Sequence, residues 1–401
     1  MDETLSLLLE GYQFIGNRMN RHQSDVYQTR LLGKDVVCVT GREAAALFYD
    51  PSRFARGGAA PLRVQKTLTG VNTVQGLDGE AHARRKALFM ALTAEPNPSI
   101  LAGLAAGEWE AALPRWQAAE QVVLFGEAKQ VLCRAACAWA GVPLPEMDAA
   151  EYAQGFAAMV DGFGAAGPRH WRGRAARACM ERRMANVVAN VRAGRLRPPE
   201  GSPLAAIANH REPGGGLPDA CAAAKELINL LRPITAISTY VAFMALALHT
   251  HPACREALQA SAGARHRFVQ EVRRFYPFTP FVGAVAKQDF AWNGCEFQTG
   301  TAVLLDVYGI NHDSRLWDRP CEFRPERFRG WQHDPFAFLP HGGGDPAGGH
   351  RCPGESITVE VLKATLDFLV NKLAYHVPAQ DLSYDLARIP TLPASGFVIR
   401  I

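Results

Sequence analysis

Residues 338–366 read FLPHGGGDPAGGHRCPGESITVEVLKATL, a glycine-rich loop and one cysteine running straight into a helical pattern. Apolar residues after the cysteine fall at Ile357, Val361, Leu362 and Leu366, three and four apart, so one face of that helix is buried. Pro353 suits the first helical position, where its missing N–H would have had no intrahelical partner. Cys352 is therefore expected at the mouth of a helix, where free backbone N–H groups and the positive end of the helix dipole favour thiolate over thiol. Arg351 adds a positive charge beside it. A thiolate held this way is a nucleophile or a metal ligand. A buried structural cysteine is the plainer reading, but a loop of small residues suits close approach of the backbone to something large and flat. A zinc site of His341, His350 and Cys352 is a further alternative, though it lacks a fourth ligand and any CxxC or HxxxH spacing.

The composition sets the frame. With 401 residues, 48% hydrophobic and 20% charged, the chain is an ordinary globular sequence. No linker divides it, and one domain spanning 1–401 is the economical reading. The first residues, MDETLSLLLEGYQF, carry too short an apolar run for a signal peptide core or a membrane span. Nine scattered cysteines argue for reduced thiols and a cytoplasmic setting. A net charge of +4 is too mild to imply nucleic acid.

Along the chain, residues 26–39 (VYQTRLLGKDVVCV) predict two strands around a Gly33-Lys34-Asp35 turn. Residues 42–49 predict a short helix ended by Asp50-Pro51. The Gly-rich stretch from Phe54 to His82 reads as irregular and suited to lining a cavity. His82 and Lys86 lie four apart on one face of the next helix, ordinarily a solvated face. Residues 100–141 and 149–163 read as Ala-rich helix. Residues 168–197 carry nine arginines and a single acid, Glu181, which reads as a solvated helix face or a surface for an acidic partner. Asp219 caps a long helix reaching about Thr250. Within it stand Arg232, an apolar-flanked cation that is costly unless paired or snorkelling, and Pro233, which breaks the backbone ladder. Residues 265–276 are helical, with Glu271 and Arg274 placed for an i,i+3 pair. Residues 281–286 and a hairpin at Trp292-Asn293-Gly294-Cys295 predict a small sheet, and residues 374–401 short strands with turns.

The loop pattern F-x-x-(Gly-rich)-x-R-C-x-G, with Arg351, Cys352 and Gly354, resembles the haem-binding loop of cytochromes P-450. Glu271 to Arg274 matches that family's E-x-x-R, and Phe323 to Phe328 (FRPERF) a third signature. The resemblance implies a mainly α-helical cytochrome P-450 fold with small sheets, one haem b, and Cys352 as its axial thiolate. It also implies that His82 and Lys86 hold the haem propionates, and that the Glu271–Arg274 pair locks the core to the segment before the cysteine.

A typical oxygen-activating member carries an acid and a threonine mid-helix. Here the helix reads NLLRPITA over residues 229–236. Arg-Pro at this place is similar to the bacterial hydrogen-peroxide-using fatty-acid peroxygenases. So are HQSDVYQTRLLGKDVVCVTG, RVQKTL, VQGLDGEAHARRK and RRFYPFTPF, a likeness over nearly the whole chain. It implies that Arg232, beside Pro233, binds a fatty-acid carboxylate, which then serves as the acid–base group for peroxide. Oxidation would fall at the α or β carbon, with no redox partner. Gln75 would reach toward the substrate and, unable to titrate, favour hydroxylation over decarboxylation. Phe278 and Phe281 would face the substrate, though aromatics there are as readily plain core, and Thr69 would line the pocket, standing where the family usually has phenylalanine. The alternatives are a monooxygenase fed by a redox partner docked on the arginine-rich surface, and a haem protein that binds fatty acids without turnover.

Overall fold

The computed structural model describes residues 2–212 and 214–401. Helices form the body, and a five-stranded sheet closes one side. In that sheet Val26–Leu31 pairs antiparallel with Lys34–Val39, which lies parallel to Ala302–Asp306. Phe281–Ala286 and then Phe54–Ala55 continue it, both antiparallel to their neighbours. The first hairpin turns at Leu32-Gly33, both with positive φ, rather than at Gly33-Lys34-Asp35; Lys34 and Asp35 already pair within the second strand. The Trp292–Cys295 hairpin turns on Asn293 and Gly294, again with φ positive at both, as its sequence demands.

Two long helices, Asn97–Gln117 and Leu124–Ala140, replace the continuous helical stretch expected from Ile100 to Gly141, and a two-residue strand, Val122–Val123, separates them. Its partner, Val398–Ile399, is the one strand in the C-terminal segment, which is otherwise turns and extended chain. Short one-turn helical pieces punctuate the stretch from Phe54 to His82, so it is less irregular than its glycines suggest.

The helix capped by Asp219 runs through the centre of the molecule. Asp219 accepts a hydrogen bond from the Ala222 N–H at 2.8 Å, satisfying a donor that would otherwise have no partner. Ala220–Ala236 is followed by a single interruption at Ile237 and then by Ser238–Thr250. Pro233 is accommodated inside the first helix, where it removes the N–H that would have bonded the Asn229 carbonyl; at the break itself the Ile237 N–H bonds the Ile234 carbonyl three residues back. The helix is long and apolar enough by itself to cross a membrane, yet 94% of its apolar window is buried inside the protein. It is the spine of the core, against which the Pro168–Arg192 and Leu124–Ala140 helices pack.

Candidate active site

The cysteine loop is built for compactness. Gly342 and Gly344 have φ of +84° and +76°, and a Cβ on Gly343 would sit 2.4 Å from the Pro335 carbonyl oxygen. Tyr49 packs against all three. These glycines thus answer first to the loop's own turns and to Tyr49. Cys352 donates its N–H to the His341 carbonyl at 2.9 Å. The following helix begins at Glu355 with Gly354 as N-cap, so Pro353 lies outside the helix rather than at its first position. The electrostatics also differ from expectation. Burial pushes the Cys352 thiol up, outweighing the Gly354 N–H and the charges of Lys86 and Arg273 that favour thiolate. A bound metal cation, which deprotonates a coordinating thiol outright, is what would settle the sulfur as thiolate. His341 is occupied by Arg273 Nη2 at 2.9 Å and Thr358 Oγ1 at 3.2 Å, and His350 stacks on His82.

His82 and Lys86 sit on the Gly79–Thr93 helix, and both are buried, not solvated. Lys86 Nζ donates to the carbonyl of Arg351, the residue before Cys352. Arg56 donates to the Gly283 carbonyl at 2.5 Å and lies over the Phe48 ring. Burial and the Lys86 charge depress the proton affinity of His82, while burial and repulsion from His82 push that of His350 down to about 3. Asp78 is the carboxylate facing this group, with its oxygens taken by the Arg56 and Gly57 N–H groups. The cluster is thus short of negative charge.

On the long helix, Arg232 is 8% exposed. Its Nε has no hydrogen-bond partner, and none of the ion pairs among the described residues includes it. Burial, helped by repulsion from Arg177, pulls its pKa down to about 9. A guanidinium in this state is costly to keep unpaired. Asn229, one turn earlier, donates from Nδ2 to Gln75 Oε1 at 3.2 Å and to Glu226 Oε2 at 3.4 Å. Glu226 is buried, and its Oε1 accepts from the Val74 N–H at 3.2 Å and Arg85 Nη1 at 2.9 Å. Glu226, Asn229 and Arg232/Pro233 are spaced three apart along one helix face, a signal present in the sequence.

Thr69 is tied by its backbone to the arginine-rich helix. Arg177, on the arginine-rich helix, donates to the Leu68 carbonyl at 2.7 Å and the Thr69 carbonyl at 3.3 Å, while its Nε pairs with Glu181 at 2.7 Å. Gly70, with φ +86°, leaves room there: a Cβ would lie 2.6 Å from Arg177 Nη2. Arg177 is therefore an exception to the solvated face expected of this helix. It falls on a buried stripe of His170, Gly173, Arg177, Met180, Met184 and Val188, three and four apart. Phe278 stacks on Tyr240 of the long helix at 4.6 Å. Phe281 packs instead with the N-terminal cluster around Phe14 and Ile15.

Glu271 and Arg274 form no surface pair. Both side chains are wholly buried, joined by two bonds of 2.7 and 2.8 Å. Glu271 also accepts from the Arg324 N–H and Arg327 Nε, and Arg274 donates to the Asn311, Pro320 and Glu322 carbonyls. The pair thereby fastens the FRPERF segment, a short 3-10 helix at Pro325–Phe328, to the core.

Comparison with known proteins bears on this arrangement. Residues 266–386 match the sequence model described as Cytochrome P450. The solved structure of Cytochrome P450SP alpha (CYP152B1) in complex with (R)-ibuprophen is 47% identical, covering 100% of this chain and 98% of that one, with a TM-score of 0.98. The chain belongs to the cytochrome P450 family. Cytochrome P450EX alpha (CYP152N1), solved with myristic acid, is 41% identical at a TM-score of 0.96, over 100% of this chain and 96% of that one. A variant of cytochrome P450 OleT in complex with arachidonic acid is 38% identical at 0.97, with the same coverage. These neighbours place the chain in the branch of cytochromes P450 to which its Arg-Pro motif pointed. Among curated sequences, Cytochrome P450 3A14 of Cavia porcellus is 27% identical over 174 residues. That match covers 38% of this chain and spans about a third, 34%, of the relative's length.

A cytochrome P450 implies a haem, and the residues fit one. Cys352 would supply the sulfur ligand. The Arg56 and Lys86 cations, beside the stacked imidazoles of His82 and His350, would suit an anionic macrocycle edge.

Proposed function

We propose that the protein is a haem-thiolate peroxygenase, using haem b and hydrogen peroxide to hydroxylate fatty acids at the α and/or β carbon, without a redox partner. Arg232 carries this reading: a buried guanidinium without a counter-ion, on the core helix, beside a proline where other members place acid–base side chains. Haem, when bound, supplies an iron centre whose thiolate ligand favours O–O cleavage. Cys352 would ligate the iron, and His82 and Lys86 would hold the propionates.

Arg232 binds the fatty-acid carboxylate through two parallel charge-assisted bonds and keeps it ionised. An ionised carboxylate so placed takes a proton from hydrogen peroxide and returns it to the departing oxygen, which leaves as water. Substrate thus provides the proton-handling group that the helix lacks. Because Arg232 fixes the carboxyl end, the carbons next to it are the ones presented for oxidation. Gln75 offers an amide that holds but cannot titrate, which favours hydroxylation over decarboxylation. Thr69 leaves the pocket wall without an aromatic ring, so positioning is looser and an α/β mixture results. All nine cysteines are free, in keeping with a reducing, cytoplasmic setting.

The test is purified haem-loaded protein with a saturated fatty acid and hydrogen peroxide, and no reductase. Hydroxy acids at α or β are expected. Turnover only with reduced pyridine nucleotide and electron-transfer proteins would favour the monooxygenase reading, and a spectral shift without peroxide consumption the binding-protein reading.

A further inference from the structure

A line of hydrogen bonds runs from Glu212 through Arg85, Glu226 and Asn229 to Gln75. Arg85 is held by Glu212 at 2.8 Å and by Glu226 at 2.9 Å, and it donates to the Asn72 carbonyl at 2.8 Å. Glu226 also takes the Val74 N–H, the peptide immediately before Gln75. It reaches Asn229, and Asn229 reaches Gln75. Polarity is set at one end. A carboxylate engaged by arginine can only accept, so Asn229 must turn its Nδ2 toward Glu226 and Gln75. Turning the amide over would set Oδ1 against two acceptors. The observed orientation leaves Asn229 Oδ1 buried without a partner, a sign that Glu226 dictates it. Gln75 then accepts with Oε1, and Nε2 is left as its donor end. A donor facing a carboxylate held by Arg232 stabilises it; an acceptor there would repel it.

We infer that Glu226 is a positioning residue for the fatty acid: through Asn229 it fixes the amide of Gln75 so that its N–H₂ faces the substrate carboxylate. This rests on the proposed function, since it presumes a carboxylate between Gln75 and Arg232. Glu226 itself touches no substrate. Burial pushes the Glu226 carboxyl up, and Arg85 at 2.9 Å, the Asn229 amide and the Val74 N–H oppose that by holding it as an acceptor.

A double-mutant cycle in the haem-loaded protein tests it, read as myristate affinity from the haem spectral shift and as the α:β product ratio. Glu226→Gln offers an N–H₂ as readily as an oxygen and so removes the fixed polarity. It should weaken myristate binding about five-fold or more and shift the α:β ratio. In a Gln75→Ala background the same change should alter affinity less than about two-fold, because the group it orients is gone. Asn229→Ala cuts the line one residue closer to Gln75 without disturbing Arg85, and should reproduce the effect if Glu226→Gln does not retain haem. Equal losses in both backgrounds, for either variant, would overturn the inference alone. If Gln75→Ala by itself leaves affinity and product ratio unchanged, the role given to Gln75 fails and the inference with it.

Discussion

His350 lies over His82, ring centroids 3.9 Å apart and 24° from parallel, two residues before Cys352 on one side and four before Lys86 on the other. The stack ties the cysteine loop to the Gly79–Thr93 helix and concentrates basic groups where a haem edge is expected. Replacing Lys86 by Met should speed transfer of haem to an acceptor protein by about ten-fold or more, since a charge-assisted bond is worth roughly 1.5–3 kcal/mol. Haem-transfer kinetics followed by visible absorbance give the answer, and unchanged kinetics would remove Lys86 from the propionate role.

Arg232→Leu should weaken fatty-acid binding by a factor of about a hundred or more, the usual cost of stripping one partner from a buried charge pair. It should also abolish turnover at saturating acid. Methyl esters of the same acids should be poor substrates of the unaltered enzyme, having no carboxylate to offer. Wild-type turnover in the leucine variant would end the substrate-assisted mechanism.

Glu271→Gln should destabilise the protein by about 3–5 kcal/mol, because it leaves Arg274 and Arg327 facing a buried neutral amide. The loss should appear in chemical denaturation and far exceed that from Glu80→Gln, which breaks an exposed pair with Arg84.

Asp306 gives a pH prediction. It is 1% exposed, its Oδ2 has no partner, and burial raises its pKa to about 7. The folded state therefore binds a proton more tightly than the unfolded chain. The resulting contribution to stability is present in full below about pH 4 and is lost as pH rises to about 7. Asp306→Asn removes the charge while keeping an oxygen for the Gly309 N–H, and it should raise the melting temperature at pH 8 more than at pH 5. Equal shifts at both pH values would show that Asp306 does not titrate in this window.

Thr69→Phe restores the aromatic ring usual at this position and should narrow the products of a saturated long-chain acid toward one regioisomer. Product analysis decides between this and an unchanged mixture. Mostly terminal alkene from the unaltered enzyme would instead refute the argument from Gln75.

Motifs confined to one turn or loop were legible in the sequence. The cysteine loop, the Asp219 cap and the Glu271–Arg274 spacing each depend on residues within four positions. What the sequence hid were distant partners. Nothing near Lys34–Val39 announces its parallel neighbour, Ala302–Asp306, more than 260 residues on. Arg177 looked like one of nine solvated arginines, yet its place on the His170–Val188 stripe marked it as buried, and charge count overrode periodicity in the reading. Pro353 fell outside its helix because Gly354 after it takes a non-helical conformation, φ −88° and ψ 19°, so the helix begins only at Glu355.

Arg177 grips residues 68 and 69 by their peptide oxygens, not by their side chains. Side-chain identity at 69 is thereby uncoupled from the path of the main chain. A threonine, a leucine or a phenylalanine can occupy the position while the loop stays where it is. Selectivity can then change by single codon replacements, without a compensating change elsewhere and without disturbing Cys352 or Arg232.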